Sequence, residues 1–349
     1  MPYGTLTSFD TLATSQQSLI AFGLDKAFEA IAIELESHNR LVAEMSGEYA
    51  ERSTDRQRRY GATATKVMQE LDEFGVPDAQ KVVAGVNVGF PLRRYGNALQ
   101  WTDLFLKRAR ADEMAKEVRA IQNADIMNVY SLIRKALFTP TNTAFEDIWV
   151  DHLNIGVKAL INADGGAITP GPNAETFNGA THTHYLANAT LTAAALTNLI
   201  TTVIEHVASG SVALQISATD ETAVRALTGF VPLTPGYQIN ADTSVYALGN
   251  LDMINFNNRM IGYFGAAEVW VKPWIMPNYA VCYVRGQNVL VFRTDPALFN
   301  GDLVVDFTDE RFMLQARGYS RYCGMGVWNR TGAAILQFNA ASYSTPAGL

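Results

Sequence analysis

The chain has 349 residues, 48% of them hydrophobic and 17% charged, with a net charge of −7. That length supports two modest domains or one elaborated one around a sizeable core. The charge argues against a dedicated nucleic-acid binder, no run of about 18 apolar residues offers a membrane span, and the first ten residues lack the basic and apolar regions of a signal peptide.

Ordinary globular chains carry about 25% charged residues. The deficit fits either a large protein–protein contact area or an uncharged surface rich in Thr, Asn and Ala. Cys282 and Cys323 sit in apolar, strand-like runs, so buried free thiols in a reducing compartment are expected rather than a disulfide framework.

Residues 18–46 read as a helix. Leu24, Phe28, Ile31, Leu35, Val42 and Met45 recur at spacings of three and four, and His38 falls on the same stripe, where a partly buried histidine is expected. From Ser46 to Tyr60 the charges alternate in sign. Arg56, Arg58 and Arg59 lie here, on a solvated helix or arm or in an ion-pair patch between subunits. After Gly75-Val-Pro77, the segments Lys81–Phe90 and Pro91–Trp101 look like two extended arms. β-Branched residues dominate the first, and Pro91 disfavours a central strand position, so a protruding two-stranded loop is expected. Adjacent Arg93 and Arg94 on such an arm point to opposite faces.

Thr102 is a suitable N-cap and Asp103 complements a helix dipole. The helical pattern runs from 103 to Phe138 and stops at Thr139-Pro140. Its stripe is Met114, Val118, Ile121, Asp125, Val129, Leu132 and Ala136. A single helix of that length spans roughly 54 Å, too long for the interior of a small domain. Asn162–Thr190 reads as a long loop. Next come a helix at 191–208, a strand at 211–216, a short helix at 218–227 and a turn-rich excursion at 230–236. A series of short strands ends the chain.

The order of these elements can be read together with Gly265-Ala-Ala-Glu-Val-Trp-Val271, Met276-Pro277-Asn278 and the ending Gly326-Val-Trp-Asn-Arg-Thr331. It resembles the tailed-bacteriophage major capsid proteins of the Hong Kong 97-like fold. Many of these carry Gly-x-Pro-Val-x-Val followed by Met-Pro; here Glu268 stands where the proline is usual, and Lys272–Ile275 is inserted before Met276. The likeness covers most of the chain as an order of elements, while each motif alone is weak.

The resemblance implies an α+β fold. Residues 1–74 would form an N-terminal arm and helix, and 75–101 an extended loop. Residues 102–189 would be a peripheral domain on a spine helix at 103–138, 190–315 an axial domain, and 316–349 a return to the peripheral domain. It implies a major capsid protein that self-assembles, as hexamers and pentamers, into an icosahedral shell enclosing double-stranded DNA. The subunit would be built in the host cytoplasm and end in the virion. Scaffold, portal and decoration proteins are the implied partners, with DNA met non-specifically and no membrane. Arg56, Arg58, Arg59, Arg93, Arg94, Tyr95 and Trp328 are the expected subunit contacts. An encapsulin-type nanocompartment shell is the near alternative.

No enzyme, cofactor or metal site is expected. No phosphate loop, dinucleotide fingerprint or nucleophile elbow occurs. His182 and His184 form a His-x-His whose rings would point the same way on a strand and share a metal. The histidine downstream is His206, in a helical stretch. A metal hydrolase built on His182 and His184 is therefore the competing class, but beside a Gly/Asn/Thr loop the pair is read as surface histidines.

Overall fold

The structure is a computed structural model that describes residues 8–60, 68–71, 73–77, 85–233, 258–311 and 314–349. Its first half comprises α1 (Phe9–Thr14), α2 (Leu19–Phe22), α3 (Leu24–Ser46), β1 (Ala50–Ser53), β2 (Gln57–Tyr60), β3 (Val86–Gly89), β4 (Arg93–Thr102), α4 (Asp103–Arg108) and α5 (Ala111–Phe138). Then come β5 (Thr143–Glu146), β6 (Asn154–Val157), β7 (Tyr185–Asn188), α6 (Ala193–Ile204), β8 (Val212–Ile216) and α7 (Glu221–Arg225). The last third is β9 (Phe230–Pro232), β10 (Arg259–Phe264), β11 (Ala267–Val271), β12 (Tyr279–Val284), β13 (Leu290–Arg293), β14 (Val304–Arg311), β15 (Leu314–Val327) and β16 (Ala333–Phe338). The fold is α+β, and the chain divides into two compact units.

The first unit takes in residues 1–55, 91–132 and 292–325. Its core joins Leu12, Leu19, Ile31 and Leu35 of the N-terminal helices to Met114, Val118 and Ile121 of α5 and to Trp101 and Tyr319 of the sheet. The α3 stripe is buried as the spacing demands, through Ala27, Ile31, Leu35, His38 and Val42. In the sheet, β15 is central. It pairs antiparallel with β14 on one side, Val304 opposite Ser320, and with β4 on the other, from Leu314 opposite Thr102 to Cys323 opposite Arg93.

Two expectations are corrected here. The segment Pro91–Trp101 is not the second arm of a protruding loop: its ten-residue strand lies along β15 and buries Trp101. Nor is 103–138 one helix. Thr102 caps α4 by accepting from the Phe105 amide at 3.0 Å, but Ala109 turns extended (φ −64, ψ 151). The gap is filled by the chain before α2, where the Leu19 amide donates to the Ala109 carbonyl and the Ala111 amide to the Gln17 carbonyl, each at 3.0 Å. The Glu113 carboxylate accepts from the Arg110 amide at 3.1 Å, the return half of a capping box for α5. The 28 residues of α5 still span about 42 Å.

The second unit takes in residues 56–90, 133–291 and 326–349. Its seven-stranded sheet runs β7-β16-β12-β8-β11-β10-β9, with β11 parallel to β8 and β16 parallel to β7. Leu196, Leu199 and Val203 of α6 pack on Leu214, Val269, Cys282 and Leu336 of the sheet. The β8 and β12 strands are buried throughout, which is why both read as continuous apolar runs rather than alternating ones. Cys282 and Cys323 are buried free thiols, as expected.

The two arms in this unit are β2 and β3, paired antiparallel from Gln57–Gly89 to Tyr60–Val86. Thus the expected first arm is real over Val86–Gly89, its partner is 57–60, and the expected stretch 81–84 lies outside the described residues. Gly89 is required: a Cβ there would come within 2.1 Å of the Ile155 side chain, because β3 lies closely against β6. Among the described residues no helix is long and apolar enough to cross a membrane.

Candidate functional site

The seven residues expected at subunit contacts fall into three groups. Arg56 is held within its own unit. Its guanidinium lies 3.0 Å from Asp147, whose side chain is fully buried, and grips both oxygens of Asp151. That fork holds the Asp151 carboxyl below its usual range. Arg58 lies over the rings of Phe90 and Trp328, at 5.9 and 5.3 Å. Trp328 in turn meets Tyr60 and Phe90 edge-on at 6.1 and 6.4 Å. This aromatic cluster, with Val88 and Val291, roots the β2–β3 arms.

Arg94 pairs with Asp306, hydrogen-bonds the Ser320 hydroxyl at 3.2 Å and covers Tyr322. All of these belong to its own unit. Tyr95 is half-buried, and burial raises its phenol pKa. Arg93 and Arg59 remain exposed, and neither has an ion-pair partner among the described residues. The opposite-face rule therefore separates the Arg93–Arg94 pair, with the inward partner a carboxylate of the same chain.

Two of the buried arginines, neither singled out by the sequence, organise hydrogen-bond networks. Arg321, 0% exposed, donates through Nε and a terminal nitrogen to the two oxygens of Asp125 at 2.8 and 2.7 Å, and through its terminal nitrogens to Asn39 and the Gly301 carbonyl. His38 Nε2 lies 2.8 Å from the same carboxylate, so its expected burial is accounted for by a partner. Arg330 donates to the carbonyls of Ala159 and Leu160 and to Asn162 and Asp164. Asp125 and His38, each a polar residue on an apolar helical stripe, were the visible signals of the first network.

The histidines are not surface groups. His182, His184 and His206 converge, with Nε2–Nε2 distances of 3.0 Å (182–206) and 3.2 Å (182–184 and 184–206). His184 is fully buried. Its backbone is held on both sides, its amide donating to the Ile161 carbonyl and its carbonyl accepting from Ile335, both at 2.8 Å. Its Nδ1 is 2.7 Å from the Ala333 carbonyl. A carbonyl can only accept, so the proton is on Nδ1 and Nε2 is a bare lone pair. His206 Nδ1 is buried without a hydrogen-bond partner among the described residues. Glu205 Oε1 stands 3.4 Å from His182 Nε2 and 3.7 Å from His206 Nε2, and Phe177 walls the group at 4.2 Å from the His206 ring. Burial lowers the pKa of all three imidazoles, to about 3 at His184 and about 4 at His206, so the rings are neutral at physiological pH.

No family model and no curated protein matches the chain. Among solved structures, a chain from Mycobacterium phage Patience superposes with a TM-score of 0.68 at 20% identity, over 99% of this chain and 96% of that one. A capsid chain of a native GTA particle gives 0.48 at 12% identity over 86% and 91%. The encapsulin of a SrpI complex from Synechococcus elongatus PCC 7942 gives 0.46 at 12% over 87% and 90%. The chain therefore shares the fold of the Patience phage chain along nearly its whole length.

Proposed function

We propose that this chain is a major capsid protein, which assembles as hexamers and pentamers into an icosahedral shell around double-stranded DNA and resides in the virion. The observation that carries the reading is the Patience match, end to end in both chains. In this assignment the β14-β15-β4 sheet with α3 and the first part of α5 is the peripheral domain. The seven-stranded sheet with α6 and α7 is the axial domain. The β2–β3 arms belong to the extended loop that lies on a neighbour.

Apolar exposure supports that use of the surface. Met68, Phe74 and Val76 between the arms are 95%, 88% and 85% exposed, and Ile148, Trp149, Val150 and Leu153 form an exposed apolar turn between β5 and β6. Contiguous exposed apolar residues of this kind mark association surfaces. Scaffold, portal and decoration proteins are the partners such a shell calls for. Arg93, Arg59 and the turn at 148–153 are the contact residues we assign.

The test is electron microscopy of the purified chain at low and at high protein concentration. Closed shells are expected. Sedimentation that shows monomer alone under both conditions overturns the reading. Shells that retain a protein cargo rather than nucleic acid would move it to the encapsulin type.

A further inference from the structure

We propose that His182, His184 and His206 bind a zinc ion through their Nε2 atoms, with Glu205 as fourth ligand, and that the site is structural rather than catalytic. The inference is independent of the capsid assignment, since it rests on four side chains of the second unit, and it departs from the sequence expectation that no metal is held.

The argument is geometric. Zinc bonds imidazole at about 2.0–2.1 Å and prefers a tetrahedron, so its nitrogen ligands should stand roughly 3.3 Å apart. The three Nε2 atoms here stand 3.0, 3.2 and 3.2 Å apart. Glu205 Oε1 lies 3.4 Å from the His182 nitrogen and 3.7 Å from the His206 nitrogen, beside the cluster, and a rotation of its carboxylate toward His184 would bring it to the open vertex. A donor atom from each of the three histidines falls within one 4.8 Å cluster.

Hydrogen bonding among the rings does not account for this arrangement. His184 has its proton on Nδ1, at the Ala333 carbonyl, so its Nε2 presents a lone pair to both neighbours. Three contacts among three nitrogens need three protons in line between them. With His184 supplying none, His182 and His206 can supply at most one each, and at least one contact is left unbonded, with two lone pairs or two N–H groups facing each other. A cation at the centre turns that repulsion into three bonds. The His184–Ala333 hydrogen bond is also the outer-shell contact that metal-bound histidines commonly make, fixing the tautomer and ring plane.

The elements that meet at the site say what the ion would do. His182 comes from the long loop 162–184, whose register is set by the Ala163 amide donating to the His182 carbonyl at 3.0 Å. His184 immediately precedes β7, and Glu205 and His206 follow α6. The ion therefore ties a loop with little secondary structure to the sheet and to a helix end. With a carboxylate at the fourth position no coordination site is left for a water, which separates this centre from a hydrolytic one.

The test uses the untagged full-length chain from zinc-supplemented cells, desalted and measured by elemental analysis. About one zinc per chain is expected. Cobalt(II) replacing it should give the intense visible bands of a four-coordinate ion. A chelator should lower Tm by at least a few degrees, and zinc alone should restore it. His182→Ala and Glu205→Gln alter the two partly exposed ligands, so both variants should still fold. His182→Ala should lose the metal and the chelator response, and Glu205→Gln should weaken zinc binding at least tenfold. Metal-free wild type that takes up no zinc from a chromophoric chelator overturns the proposal. Wild-type affinity in Glu205→Gln overturns the closed, structural assignment.

Discussion

Removing the Asp125 carboxylate tests whether the buried ion network holds the first unit together. In wild type the carboxylate accepts two bonds from Arg321, at 2.8 and 2.7 Å, and lies 2.8 Å from His38 Nε2. Asp125 is 7% exposed and Arg321 0%, so solvent screens the pair little. Asp125→Ala leaves Arg321 with Asn39 and the Gly301 carbonyl, which satisfy donors but do not neutralise the charge. Breaking one side of a buried pair costs about 3–5 kcal/mol, a large share of the roughly 5–15 kcal/mol that holds a domain folded.

Urea titration of the unassembled chain measures the loss as a lower midpoint with an unchanged slope. The double variant Asp125→Leu/Arg321→Met removes both charges and should recover most of the stability. A loss below about 1 kcal/mol in Asp125→Ala, or single-variant losses that simply add in the double variant, would refute the reasoning. Acid titration gives a second arm. Burial alone would raise the Asp125 pKa, but the bonds from His38 and Arg321 outweigh it and the net shift is downward. A depressed folded value means the contribution is complete above the unfolded carboxyl value near 3.9 and is lost as pH falls through the folded one. Wild type should therefore lose stability below about pH 4, and the double variant should lose less.

Gly324→Ala should abolish the folded first unit, because its Cβ would meet the Pro91 carbonyl oxygen at 1.9 Å, and the yield of soluble chain reads this directly. Arg94→Ala should cost the free subunit less than about 1 kcal/mol, since its Asp306 pair is partly exposed. Arg93→Ala should leave the subunit's Tm unchanged yet lower shell yield; equal yields would remove Arg93 from the interface. Arg330→Met should unfasten residues 159–164 and lower Tm. With burial opposing but Asn142 and Arg330 prevailing, Asp164 is depressed to about 2. Its contribution is thus complete above the unfolded value and lost as pH falls toward 2, and this part of the acid response should shrink in Arg330→Met.

Local physics made much of this chain legible without coordinates. The Thr102 cap, the α3 stripe, the buried strands at 212–216 and 279–284 and the two inert thiols all follow from periodicity, capping and apolar runs acting over a few residues. The element order was enough to suggest the capsid fold. What sequence spacing could not supply were partners chosen across long separations. β4 could as well have returned on β3 as lain along β15, because a strand's pairing edge carries no local signature and its register is settled by the whole sheet. The break at Ala109 has no breaker residue; it exists because another segment's backbone hydrogen bonds fill it. Asp125 stood out on an apolar stripe, but Arg321 lies 196 residues away. The His-x-His spacing of His182 and His184 was visible in the sequence, whereas bringing His206 and Glu205 beside them required α6 to pack on the sheet, a decision made by the core it buries.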